Sequence, residues 1–169
     1  MRDLIADLLT GRRVGGHPYL MAMQDPTTSG ERAERLLLAS IDADVRGWAQ
    51  DCLPPGVTLC GFADADSDVA ELARRLQVDL CVLDMGLPGD ALAALRAVAE
   101  SAPGVHVVAW APSDDNPELL EAIAAGAIGC IVGTPDREAL ARTFADVVAG
   151  KPTLPRAVVT RMVDQLRLL

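Results

Sequence analysis

The most conspicuous acid in this sequence follows a short apolar run. Leu80–Leu83 is continuously apolar, Asp84 comes directly after it, and Pro88-Gly89 then marks a turn. Such a run is typical of a parallel strand that is covered on both faces, and the functional crevice of such sheets lies where the strands end. Asp84 is therefore predicted to present a carboxylate in that crevice. The alternative is an ordinary solvated aspartate in a loop.

No familiar catalytic motif accompanies Asp84. The sequence has no Gly-x-Gly-x-x-Gly or Gly-x-x-x-x-Gly-Lys loop to cradle a phosphate, and no Gly-x-Ser-x-Gly turn to carry a nucleophile. We therefore predict that the chain is not an enzyme.

The four cysteines show no Cys-x-x-Cys spacing, and only two histidines accompany them, so a zinc site is not expected. Cys81 and Cys130 lie within apolar runs and are predicted to pack as small hydrophobic side chains.

Composition narrows the range of partners. The chain of 169 residues has a formal net charge of −9 and is 50% hydrophobic but only 3% aromatic, which predicts an aliphatic core. A net negative charge argues against binding to a nucleic-acid backbone or to an anionic membrane surface. The longest run of small apolar residues, 122–133, is too short to span a bilayer. We expect a cytoplasmic protein.

The apolar pattern predicts the elements that position Asp84. Apolar runs alternate with segments whose apolar residues recur at helical spacing, and Ser67 and Thr134-Pro135 are predicted to cap two of the helices. This alternation predicts an α/β fold: a flavodoxin-like, doubly wound parallel sheet with strand order 2-1-3-4-5. The five runs are Leu36–Ala39, Val57–Phe62, Leu80–Leu83, Val105–Trp110 and Ala127–Val132.

Two further segments flank this predicted domain, which we place at residues 35–152. Residues 1–34 are predicted to be a leader, with a short helix followed by a flexible segment. Residues 153–169 are predicted to form a linker-type helix, which either packs on its own domain or meets a partner helix. Its apolar stripe consists of Val159, Met162, Val163 and Leu166.

Three segments together resemble the receiver domains of two-component response regulators of the LuxR type. Leu83–Gly89 resembles their phosphoacceptor segment, Ala124–Gly129 the approach to their fifth strand, and Val148–Pro155 the end of their last helix. The resemblance extends over residues 35–155.

The resemblance implies a set of site residues, and this chain departs from most of it. In the family, the aspartate at the position of Asp84 accepts a phosphoryl group from a histidine kinase with the help of Mg²⁺. The acidic pair after the first strand is replaced here by Ser40-Ile41, the switch hydroxyl by Ala111 and the lysine by Gly133. Phosphoryl transfer depends on such charge-stabilising parts, so we predict an atypical receiver.

Three hypotheses follow from this pattern. The first is a receiver-like domain that acts independently of phosphorylation, through protein contacts and as a homodimer, without a cofactor. The second is a conventional receiver in which Asp42 joins Asp84 in holding Mg²⁺ and a histidine kinase is the partner. The third is the receiver half of a LuxR-type transcription regulator, whose DNA-binding module would lie outside these residues. The sequence names neither a kinase nor an effector.

Overall fold

The computed structural model describes residues 32–169. The short helix predicted within the leader lies outside the described residues. The first strand begins at Glu34, at the end of the segment predicted to be the leader.

Five parallel strands form one sheet in the order β2-β1-β3-β4-β5, which confirms the predicted fold class. The outer strands lie beside their predicted neighbours, and Asp84 at the end of the central strand is in register with Trp110 on the next. The strands are β1 (Glu34–Ala39), β2 (Val57–Ala63), β3 (Leu80–Asp84), β4 (His106–Ala111) and β5 (Gly129–Val132).

Within residues 32–169, six helices cover both faces of this sheet. Apolar side chains of α1 and α5 are buried on one face, and those of α2, α3, α4 and α6 on the other. None of these helices is long and apolar enough to cross a membrane. The helices are α1 (Ala43–Asp51), α2 (Asp66–Arg75), α3 (Ala91–Ser101), α4 (Glu118–Ala124), α5 (Arg137–Val148) and α6 (Arg156–Arg167).

Aspartate side chains cap three of the helices, and two predicted caps are wrong. Asp42, Asp90 and Asp136 each accept hydrogen bonds from amides in the first turn of the helix that follows. Thr134-Pro135 does not cap α5, because the Asp136 carboxylate accepts the Ala139 amide instead. Ser67 lies inside the first turn of α2, where its hydroxyl donates to Asp68.

The buried cysteines pack as predicted. Cys81 and Cys130 are free thiols within the core cluster on the α2–α4 face. Burial raises the pKa of each of these two thiols to about 12, so both remain protonated at neutral pH and are poor nucleophiles.

The C-terminal segment packs against its own domain. Thr153 forms a parallel bridge with Gly129 on the outer edge of β5, and the Cys130 amide donates to the Thr153 carbonyl at 2.8 Å. Val158 of α6 is fully buried, and Leu154 and Met162 pack against the same core. Residues 32–169 therefore show α6 in contact with its own domain, which is the first of the two alternatives predicted for this helix.

This contact depends on a glycine in β5. A Cβ atom placed on Gly129 would lie 2.8 Å from the backbone oxygen of Thr153, closer than such atoms approach one another. We expect Gly129→Ala to separate the two segments, because overpacking at a backbone contact costs about 1–3 kcal/mol. Hydrogen exchange of the Cys130 amide should then become at least about tenfold faster.

Gly104→Ala is a matched control for this prediction, since a Cβ atom at Gly104 meets nothing within 4 Å. Unchanged exchange at Cys130 in the Gly129→Ala protein would contradict the proposed dependence.

Candidate functional site

The carboxyl ends of the parallel strands bring most of the predicted site residues to one edge of the sheet. Asp84 ends β3, Ser40 directly follows β1, and Ala111 ends β4. Gly133 follows β5, and its amide donates to the Ala111 carbonyl at 2.9 Å. The predicted crevice therefore lies along the ends of the inner strands and β5.

The carboxylate of Asp84 is buried and hydrogen-bonded at both oxygens. Its residue is only 4% exposed. The Ser40 hydroxyl donates to Oδ2 at 2.6 Å, and the Gly86 amide donates to Oδ1 at 2.7 Å. A buried carboxylate is costly unless hydrogen bonds of this kind compensate it. Asp84 is thus held by the chain itself, which excludes the alternative of a solvated loop aspartate.

Ser40 is the other buried polar residue of this site, and it is fully buried. Its Oγ accepts the Asp42 amide at 3.0 Å while donating to Asp84. Both hydrogen-bonding functions of the hydroxyl are therefore used, and the β1–α1 loop is tied to the end of β3.

The two residues after Ser40 do not direct a ligand atom at Asp84. Ile41 is 54% exposed and offers no ligand atom in its side chain. Oδ1 of Asp42 accepts the amides of Asp44 and Val45 at 2.8 and 3.1 Å, which caps α1. Asp42 thus serves the helix that begins beside it.

Arg46 is a further residue of this edge that the sequence did not single out. Its Nε donates to the Ser40 carbonyl at 2.7 Å, and its guanidinium forms an ion pair with Asp64 after β2. The guanidinium carbon also lies 4.8 Å from the centre of the Phe62 ring. One arginine therefore joins α1 to the ends of β1 and β2. Nothing in the spacing of Arg46 distinguishes it from other helical arginines.

The ends of β4 and β5 carry no group for reading or neutralising an anion at the predicted positions. Ala111 is fully buried and has no hydroxyl. Gly133 adopts φ +70°, in the left-handed region that favours glycine. The indole of Trp110 donates from Nε1 to the Gly133 carbonyl at 2.7 Å, so this side chain braces the β5–α5 loop.

The loop after Asp84 is fixed by a different acid. Asp66 at the start of α2 accepts the Asp90 amide at 2.9 Å, and its own amide donates to the Pro88 carbonyl at 3.2 Å. Gly89, between these two residues, has φ +98°, and a Cβ atom there would collide with the Asp66 carboxylate at 2.3 Å. Glycine at this position is required by both the backbone conformation and the close approach of Asp66.

The donor atoms at this edge do not fit Mg²⁺. Magnesium requires a near-octahedral set of oxygen ligands. Across residues 32–169, no three His, Cys, Asp or Glu side chains are grouped so that they could hold a metal ion. Asp84 is engaged by Ser40 and Gly86, and Asp42 is engaged by the amides of α1.

Comparison with curated proteins identifies response regulators as relatives, although no protein-family model matches the chain. The chain is 29% identical over 114 residues to the response regulator GacA of Pseudomonas aeruginosa, covering 67% of this chain and 51% of that protein. It is 27% identical over 116 residues to the nitrate/nitrite response regulator protein NarL of Escherichia coli, covering 68% and 54%. The chain thus spans about half the length of the curated relatives that it matches.

Solved structures with the same fold are receiver domains and response regulators. A two-component response regulator of the LuxR family from Aurantimonas superposes with a TM-score of 0.69 at 21% identity, covering 80% of this chain and 98% of that one. The isolated REC domain of RcsB from Salmonella enterica serovar Typhimurium, in the apo form, gives a TM-score of 0.66 at 16% identity, with coverage of 78% and 98%. The chain is thus similar in sequence to response regulators, and it has the fold of their receiver domains.

Proposed function

We propose that this chain is a response-regulator receiver domain of the LuxR type that acts without phosphorylation of Asp84, through contact with a second copy of itself. The observation that carries the proposal is that each oxygen of the Asp84 carboxylate accepts a hydrogen bond, one from Ser40 and one from Gly86. A phosphoacceptor needs an exposed oxygen and a cation beside it, whereas this carboxylate is buried among groups that donate hydrogen bonds.

The missing readout groups support the same proposal. Even a phosphorylated Asp84 would lack the hydroxyl and the ammonium that convert added charge into a loop movement, because Ala111 and Gly133 occupy those positions. A modification that gains no new contacts in one conformation cannot shift an equilibrium between two. Regulation would then come from association, from a partner or from the amount of protein.

The surfaces proposed for association are α1, α5 and the outer face of α6. Arg137 of α5 donates to the carbonyl of Asp51 at the end of α1, which joins these two helices into one surface. On α6, Val159 and Val163 remain exposed although the opposite side of the helix is packed on the core. Interface centres are more apolar than the rest of a protein surface, so this face of α6 suits an association surface.

Sedimentation velocity tests this proposal. Wild-type protein and the Asp84→Asn variant would be compared with and without acetyl phosphate and Mg²⁺. We expect the same dimer in all four samples. A monomer that dimerises only when wild-type protein is treated would contradict independence from phosphorylation, and a monomer throughout would contradict association with a second copy.

A second candidate function is favoured by the length of the relatives. Because the chain spans about half of GacA and NarL, we also consider that this domain is the receiver half of a transcription regulator. In that case, the same association would bring together two copies of a further module. The net charge of −9 argues against DNA binding by this chain itself.

A further inference from the structure

We propose that Ser40 takes the place of a divalent cation at Asp84 and is the residue that excludes Mg²⁺ from this receiver. The inference rests on the proposed function and names the residue responsible for it. It also predicts that the site can be converted to a metal-binding one by changing the β1–α1 loop alone.

The Ser40 hydroxyl lies directly against one oxygen of the Asp84 carboxylate. Ser40 Oγ lies 2.6 Å from Asp84 Oδ2, which is the distance of a short hydrogen bond to a carboxylate. A metal ion bound at Oδ2 would need the place that this hydroxyl fills. The other oxygen accepts the Gly86 amide at 2.7 Å, and the residue is 4% exposed. Each carboxylate oxygen therefore already has a hydrogen-bond donor of the chain beside it.

Ser40 also fixes the course of the β1–α1 loop. Its Oγ accepts the Asp42 amide at 3.0 Å, and Asp42 in turn places its carboxylate over the first amides of α1. The nearest further acid along the chain is therefore committed to capping a helix. A serine at position 40 both satisfies Asp84 and turns the next carboxylate away from it.

Arg46 supplies a positive charge beside the β1–α1 loop. Its guanidinium pairs with Asp64, stacks on Phe62 and donates to the Ser40 carbonyl. The positively charged side chain of Arg46 thus holds the loop that carries Ser40. With Arg46 in this position, the β1–α1 loop needs no bound metal ion to hold it in place.

Titration calorimetry with MgCl2 tests the inference. The proteins would be wild type, the double variant Ser40→Asp with Ile41→Asp, and the matched double variant Ser40→Asn with Ile41→Asn. Asparagine has the size of aspartate without its charge. In parallel, the thermal midpoint of each would be measured in MgCl2 and in NaCl of equal ionic strength.

We expect no saturable binding to wild type or to the asparagine variant. The aspartate variant should bind Mg²⁺ saturably, and its thermal midpoint should rise with MgCl2 but not with NaCl, because clustered carboxylates repel until a cation joins them.

Two results would overturn the inference. One is saturable Mg²⁺ binding by wild-type protein that is lost in Asp84→Asn. The other is an aspartate variant that is folded but does not bind. Either can occur while wild-type protein stays unphosphorylated, which would leave the proposed function in place. Phosphorylation of the wild type, by contrast, would overturn the proposed function itself.

Discussion

Replacing Ser40 by alanine should lower the free energy of unfolding by about 1–3 kcal/mol, with the value towards the upper end because a carboxylate is involved. The change removes the donor to Asp84 Oδ2 and the acceptor of the Asp42 amide at once. Ser40 is fully buried, so water cannot readily replace either partner. Urea unfolding followed by circular dichroism would give the difference.

Ser101→Ala is the matched control for this prediction. Ser101 is exposed on α3, and its hydroxyl donates only to the Ala97 carbonyl. Its replacement should change the free energy of unfolding by less than about 0.5 kcal/mol. If Ser40→Ala were as mild as Ser101→Ala, the Ser40–Asp84 hydrogen bond would not be important to the fold.

Phe144→Ala should lower the free energy of unfolding by about 3–5 kcal/mol. The ring belongs to the largest fully buried side chains and holds α5 against the sheet, in the cluster that it shares with α1. The cost includes both the lost burial of the ring and the cavity that it would leave. The same unfolding experiment measures the effect.

Phe144→Leu tests whether this position needs the aromatic ring itself or only a large apolar side chain. Leucine retains much of the volume, so a loss below about 1.5 kcal/mol is expected. Because α5 is one of the proposed association surfaces, the Phe144→Ala protein should also dimerise less well at equal concentration. A stable and fully dimeric Phe144→Ala protein would contradict this account of the α5 face.

The fold was predictable because its signals are local and repeated. A continuous apolar run such as Leu80–Leu83 must be buried on both faces of a sheet. Because helices alternate with these runs, a doubly wound sheet is the arrangement that covers both faces. The helix starts were less predictable, since Ser67 and Thr134 are as suitable as Asp136 by residue type alone. Which of these residues caps a helix depends on where the preceding strand ends and on the path of the loop that follows it.

The site was predictable only as a set of positions. Strand ends place Ser40, Asp84 and Ala111 at one edge, as the sequence indicated. That the Ser40 hydroxyl meets the Asp84 carboxylate is a contact between residues 44 positions apart, and no spacing along the chain reveals it. The contribution of Arg46 depends in the same way on β2 ending beside α1.

Intact mass after incubation with acetyl phosphate and Mg²⁺ tests the central claim most directly, with Asp84→Asn as the control. We predict that wild-type protein and the variant both keep their unmodified mass while remaining folded. A gain of one phosphate in wild type but not in Asp84→Asn would contradict a receiver that acts without phosphorylation, and would show that Asp84 accepts a phosphoryl group despite the hydrogen bonds that hold it.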